Sequence, residues 1–316
     1  MSIDFQVISG NISDTDLLEL ARLITPRVFI RENDEQSAEL WRSGDYIHLY
    51  VVGSSTRSTG ARFDSERRSV EFVLPMLASP EDYSFSLQLA DAIAARGERV
   101  RVDGKEIPED ELSEFAADLA HKQLAFDVEM VAEKISERKT VMICAPCRVC
   151  YLGPNCWSRF SRSERTDTIS EVIKLLRRAQ NIEDEGYSPV PAVVVFTKGW
   201  KDKVTVLASL KPGQKTALPA IETVELRGEG GRTVWLSPAT LCERLGPSCE
   251  FLDERQLLVQ AISPDQWTEL VQPVSRWRLL FRGRSDVPTR PPQGDSQFQI
   301  LSVSANPEKD HIDLFV

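Results

Sequence analysis

Along the chain, apolar residues recur every second position in some stretches and every third or fourth in others, with proline, glycine and acidic clusters between them. Phe5 to Ile8 reads as a short strand. Ser13, Asp14 and Asp16 then cap a helix that carries Leu17, Leu20, Leu23 and Ile24 on one face and stops at Pro26. Val28 to Ile30, Tyr46 to Val52 and Val70 to Leu77 are expected strands, the last two separated by the turn-rich stretch Gly53 to Gly60. Ser79-Pro80-Glu81-Asp82 joins an N-cap, a proline at the first helical position and acids placed against the helix dipole, so a helix starts there. Tyr83, Leu87, Ala90, Ile93 and Ala94 form its apolar face, and Gly97 ends it. A small hairpin at Val100 to Val102 turns at Asp103-Gly104. Pro108 then opens a long helix bearing Leu112, Phe115, Leu119, Phe126 and Met130.

Thr140 to Leu152 reads as a strand region and Thr166 to Ala179 as a helix with Ile169, Ile173 and Leu176 on one side. The acids, Gly186 and two prolines of Asn181 to Pro191 mark a domain boundary. Beyond it, Ala192 to Thr197, Val204 to Leu210 and Ile221 to Leu226 are expected strands, Val234 to Leu236 leads into a helix, and strand Leu257 to Ile262 precedes a capped start at Ser263-Pro264-Asp265. After a proline-rich linker, Phe298 to Ser304 and His311 to Phe315 read as a terminal hairpin across Asn306-Pro307. The junction Ser79 to Tyr83 matches Ser263 to Trp267, and Tyr151 to Pro154 matches Trp235 to Pro238, but their order and spacing differ, so shared capping chemistry explains them better than a tandem repeat.

The expected fold class is therefore α+β: two modules with mixed or antiparallel sheets flanked by helices, residues 1–180 and a more β-rich module, residues 181–316, ending in the hairpin. The 316 residues, 41% hydrophobic and 27% charged, suffice for a buried core and are too apolar for disorder. With 38 Lys+Arg against 48 Asp+Glu, the formal charge of -10 repels phosphate backbones, which disfavours nucleic acid as a partner. Two arginine-rich stretches run against that field. Arg159, Arg162, Arg165, Lys174, Arg177 and Arg178 are interleaved with acids as on a solvated helix, whereas Arg276, Arg278, Arg282 and Arg284 lie beside the stacking surfaces Trp277 and Phe281. No uncharged apolar run approaches the ~20 residues of a membrane span, and the N-terminus lacks a secretory signal pattern, so a cytoplasmic protein with no membrane partner is expected.

Candidate chemistry concentrates in Cys144-Ala-Pro-Cys147-Arg-Val-Cys150-Tyr-Leu-Gly-Pro-Asn-Cys156. Four soft ligands suit zinc or an iron–sulfur cluster, and the first three follow a ferredoxin-like spacing, but the pairs overlap at Cys147 and no proline follows Cys156. Cys242, Cys249 or His121 would complete such a site only through the fold. A redox thiol is a second reading; a third, with no cofactor, treats cysteine as a small buried hydrophobe in a strand, and the alternation around Val141 and Ile143 favours it. His48, His121 and His311 form no ligand pair, phosphate-loop and nucleophile-elbow motifs are missing, and the carboxylate pairs sit at helix starts where the dipole accounts for them.

Ala145-Pro146 with Arg148, then Tyr151-Leu152-Gly153-Pro154, resembles an element of uncharacterised bacterial proteins, some of which accompany secreted toxins as immunity partners. The lack of a catalytic constellation, the acidic surface and candidate exposed aromatics point to a non-enzymatic protein-binding module with a protein partner, and the resemblance adds an immunity or defence-system setting; it assigns no functional residues. Trp41, Trp200 and Trp267 are candidate exposed anchors of such an interface, and burial in a core explains them at least as well. The alternative is a cysteine-ligated metal or iron–sulfur protein using Cys144, Cys147, Cys150 and Cys156.

Overall fold

The computed structural model describes residues 3–8, 12–31, 34–94, 100–102, 105–160, 165–197, 203–228 and 233–272. The chain is α+β and divides into two compact units, Met1–Asn181 and Ile182–Val316.

The first unit is built on a seven-stranded sheet of β1 (Ile3–Ile8), β2 (Val28–Ile30), β3 (Ile47–Val51), β4 (Thr59–Asp64), β5 (Ser69–Leu74), β6 (Val100–Val102) and β7 (Lys105–Ile107), in the order β2-β3-β4-β5-β1-β6-β7. Every pairing in it is antiparallel, which lets one face pack while the other meets solvent. Alternation does this locally: Ile47 and Leu49 of β3 are fully buried while His48 and Tyr50 are half-buried on the opposite face. At the centre Phe5 and Phe72, cross-strand partners, stack at 5.0 Å, and each buried ring stabilises the fold by about 1.5–3 kcal/mol. Helices α1 (Asp14–Ile24), α2 (Asp34–Ser43), α3 (Pro80–Ala94) and α4 (Leu112–Ser136) contribute Leu17, Ala21, Trp41, Tyr83, Leu89 and Ala116 to the same core. A separate hairpin, β8 (Val141–Cys144) with β9 (Val149–Leu152), is followed by α5 (Pro154–Phe160) and α6 (Arg165–Gln180).

Capping chemistry sets the helix starts. Ser13 and Asp16 form a reciprocal box, and at α3 Asp82 N–H donates to Ser79 Oγ at 3.2 Å while Ser79 N–H donates back to the Asp82 carboxylate at 2.8 Å.

The second unit carries two four-stranded sheets. One orders β10 (Ser188–Pro189), β13 (Thr216–Leu218), β17 (Leu257–Val259) and β16 (Cys249–Phe251); the other orders β11 (Val193–Thr197), β12 (Lys203–Leu210), β14 (Thr223–Arg227) and β15 (Thr233–Leu236). Each mixes a parallel pair, β10 with β13 or β12 with β14, with antiparallel ones. Helices α7 (Pro238–Leu245) and α8 (Pro264–Val271) place Leu241, Leu245, Trp267 and Leu270 against Leu226, Leu236 and Val259. Ser263 and Gln266 form the capping box of α8. The two units differ in topology, so their matching junctions reflect helix-start chemistry rather than a shared plan.

Several expectations change. The strand expected over Val70 to Leu77 ends at Leu74, and β4 begins inside the turn-rich stretch; α2 and α5 were not foreseen. On α4 the buried line is Leu112, Ala116, Ala120, Leu124, Val128, Val131 and Ile135, leaving Phe126 exposed. Trp41 and Trp267 are core residues rather than exposed anchors: Trp41 stacks on Phe63, and its indole N–H donates to Ile12 O at 3.1 Å. Gly97, Trp200, the arginine stretch from Arg276 to Arg284 and the terminal hairpin lie outside the described residues.

Candidate functional site

The outer face of the seven-stranded sheet changes character from its middle to its β2 edge. In the middle it is polar and self-paired: Arg62 bridges Glu71 at 2.6 Å and lies over the Tyr46 ring, and Gln6 donates to Ser69 Oγ. At the edge it is aromatic. The β2–β3 ladder continues one residue beyond each end of the strand, Val52 N–H donating to Arg27 O at 3.0 Å and Arg31 N–H to His48 O at 2.9 Å. Residues two apart share a face, so Arg27, Phe29 and Arg31 line up opposite Val52, Tyr50 and His48. Phe29 stacks on Tyr50 with ring centroids 6.1 Å apart and is 52% exposed; Val52 is 40% exposed, and Arg27 and Arg31 are exposed at either end.

The cysteine hairpin abuts this face through Tyr50. Burial, then the charge of Cys147 and the hydrogen bond between thiol and phenol, push the Tyr50 hydroxyl above its ordinary pKa. The loop between β8 and β9 is held by one side chain. The carbonyl oxygen of Gln180, at the end of α6, accepts from Cys147 N–H at 2.8 Å and Arg148 N–H at 2.9 Å, while its amide donates to Arg148 O at 2.8 Å and contacts Cys150 Sγ at 3.7 Å. This buried glutamine satisfies loop groups that would otherwise be desolvated without partners. Nearby, Gly53 N–H donates to Asn181 Oδ1 at 3.1 Å, tying the end of β3 to the end of α6.

Strand parity divides the four cysteines. Cys144 pairs with Val149 and Cys150 with Ile143, so they lie on opposite faces of the hairpin. Cys144 and Cys147 are exposed, whereas Cys150, and Cys156 on α5, are buried in the core. The structure does not bring Cys144, Cys147, Cys150 and Cys156 together as one ligand set: among the described residues no group of three or more His, Cys, Asp or Glu side chains is arranged to hold a metal. His121 is exposed on α4.

Beneath the hairpin lies a buried polar knot that sequence reading missed. One oxygen of Asp82 accepts from Thr56 N–H and Oγ1–H, both at 3.1 Å, from Arg57 N–H at 3.2 Å and from Ser79 N–H and Oγ–H. Burial raises the Asp82 pKa, and hydrogen bonds from Ser55, Ser79 and Arg57 draw it back. Asp127 accepts from Leu77 N–H at 2.8 Å and from Gln123 at 2.7 Å, and burial raises its pKa too. Leu77 is fully buried with φ +60°, a conformation that costs an L-residue about 1–2 kcal/mol. Burial lowers the Arg57 pKa, opposed by Cys144, Asp82, Cys150 and Asp127 around it. With the carboxylates saturated by the backbone of the β3–β4 loop and of the α3 start, the knot is a clamp that fixes the loop below the hairpin. The capping pattern at Ser79-Pro80-Glu81-Asp82 was its visible signal; Asp127, within a helix, gave none.

Comparison of the chain with protein-family models, curated proteins and solved structures finds no match.

Proposed function

We propose that the chain is a non-enzymatic bacterial protein-binding module, an immunity or defence-system component, that takes its protein partner on the outer β2–β3 face. The observation that carries this reading is the exposed Phe29–Tyr50 stack at a sheet edge, between Val52 and the two arginines. A rigid aromatic pair with an apolar neighbour and a charged rim has the make-up of an interface hot spot. The edge strand adds the Val28 carbonyl and the backbone groups of Ile30, which point away from β3 by antiparallel alternation and suit pairing with an extended partner segment, while Val28 N–H donates to Thr25 O. Arg27 and Arg31 fit a partner with acidic residues flanking an apolar one. The toxin-immunity resemblance at Ala145 to Pro154 lies in the hairpin whose Cys147 touches Tyr50, so both lines of support meet at one place.

The test is affinity capture from the native host with the wild-type chain and with Phe29→Ala as baits, both checked for native circular dichroism. A stoichiometric partner bound by wild type and weakened at least ~30-fold in the variant, as for a hot spot of about 2 kcal/mol, is expected. A partner held equally by both baits, or none at stoichiometric yield, overturns the proposal. The competing reading, a zinc or iron–sulfur centre on the cysteine run, requires Cys144 and Cys150, on opposite faces of the hairpin, to converge, and metal analysis of anaerobically purified protein tests it.

A further inference from the structure

The second unit holds a different pair of thiols, far apart in character from the hairpin set. Cys242 lies in the last turns of α7 and Cys249 opens β16, and the short 3-10 turn Gly246–Ser248 folds the chain back so that their sulfurs meet at 2.7 Å. Neither is disulfide-bonded; Cys242 is partly exposed and Cys249 is buried. We propose that Cys242 and Cys249 are a redox-active dithiol, oxidised reversibly to an intramolecular disulfide by low-molecular-weight disulfides, with Cys242 as the attacking thiol and Cys249 as the resolving one.

Geometry assigns the roles. A small disulfide reaches the partly exposed Cys242, whereas Cys249 is buried in the core of the unit. The hydrogen bond between the two thiols lowers the Cys242 pKa, against burial and the nearby Glu250 carboxylate; the same bond, with burial, raises that of Cys249. The accessible sulfur is thus the more readily ionised of the two, and the thiolate is the nucleophilic form.

In the first step the Cys242 thiolate attacks one sulfur of the small disulfide. A bond forms to that sulfur, the original S–S bond breaks, and the departing thiolate takes the proton that Cys242 gave to solvent. In the second step Cys249, having released its proton, attacks Cys242 Sγ and expels the other half as a thiolate, which takes that proton. Two electrons pass from the protein to the oxidant, and one small disulfide becomes two small thiols. The sulfurs already touch, so closure starts from contact. It pins together the elements that give Pro238 and Phe251 to a cleft of about 350 Å³, also lined by Val206, Ile221, Glu222 and Arg255.

The experiment treats the reduced full-length chain with glutathione disulfide, quenches with acid, alkylates remaining thiols and maps tryptic peptides without reduction. Arg244 lies between the two cysteines, so their disulfide joins the peptide ending at Arg244 to the one beginning at Leu245. That linked pair is expected as the main oxidised product, and it should disappear on reduction. In Cys249→Ser the glutathione adduct should instead persist on Cys242. Recovery of Cys242 and Cys249 as separate alkylated thiols, while Cys144 or Cys147 is oxidised, overturns the proposal. Wild-type mapping decides the matter even if the serine variant does not fold.

Discussion

The two groups of cysteines teach opposite lessons about spacing. Cys144, Cys147, Cys150 and Cys156 crowd one short stretch, yet a two-residue pleat sends Cys144 and Cys150 to opposite faces and a helix carries Cys156 into the core. Cys242 and Cys249 are separated by a helix end and a turn, yet their sulfurs are in contact. Density in sequence made the first group look like a site. The turn after Leu245, where Gly246 takes φ +54°, makes the second one.

The largest effect that bears on this contrast is expected at Gln180. Its amide satisfies Cys147 N–H, Arg148 N–H and Arg148 O, so Gln180→Leu should cost about 2–4 kcal/mol in urea unfolding and free those two amides to exchange with solvent hydrogen. Unchanged stability would mean that the hairpin loop does not depend on this clamp.

Next in size are the serine variants. Cys150→Ser and Cys156→Ser place a hydroxyl in the core and should each lose about 1–3 kcal/mol, whereas Cys144→Ser and Cys147→Ser should stay within about 0.5 kcal/mol of wild type. Equal losses at all four positions would erase the division into buried and exposed thiols. Metal content follows from the same division: zinc and iron should fall well below one ion per chain, with no visible charge-transfer band. A stoichiometric metal lost in Cys150→Ser would reunite the four cysteines as ligands and contradict the split.

The smallest expected effect is at the sheet edge. Phe29→Ala should change folding stability by no more than about 0.5 kcal/mol, while Phe72→Ala, at the centre of the same sheet, should cost about 3–5 kcal/mol. Loss of partner binding with preserved stability would separate the proposed interface from the core.

Much of the fold was legible where local chemistry decides it. The caps at Ser13, Ser79 and Ser263 and the short strands at Val28 and Val100 stand close to where periodicity places them. Elements whose apolar signal is thin were missed: β4 starts with Thr59, Gly60 and Ala61, small residues beneath Tyr46 that resemble a turn, and α2 is mostly polar. On α4, apolar residues occur on more than one face, so only tertiary packing chose Leu124 and Val128 over Phe126. The large aromatic surfaces of Trp41 and Trp267 were better spent in cores than at an interface. The site itself was less legible. Phe29 and Tyr50 come together through strand register, Asp82 and Asp127 through a loop and two helices, and Cys242 and Cys249 through a turn, none of which a linear motif encodes.

The most direct measurement of whether the fold, rather than spacing, decides which cysteines act is time-resolved alkylation of the native reduced chain, read cysteine by cysteine from its peptides. Cys144, Cys147 and Cys242 should be modified first, with Cys150, Cys156 and Cys249 protected until the chain unfolds in urea. Modification of Cys150 or Cys156 in the native protein as fast as Cys144 would contradict the account.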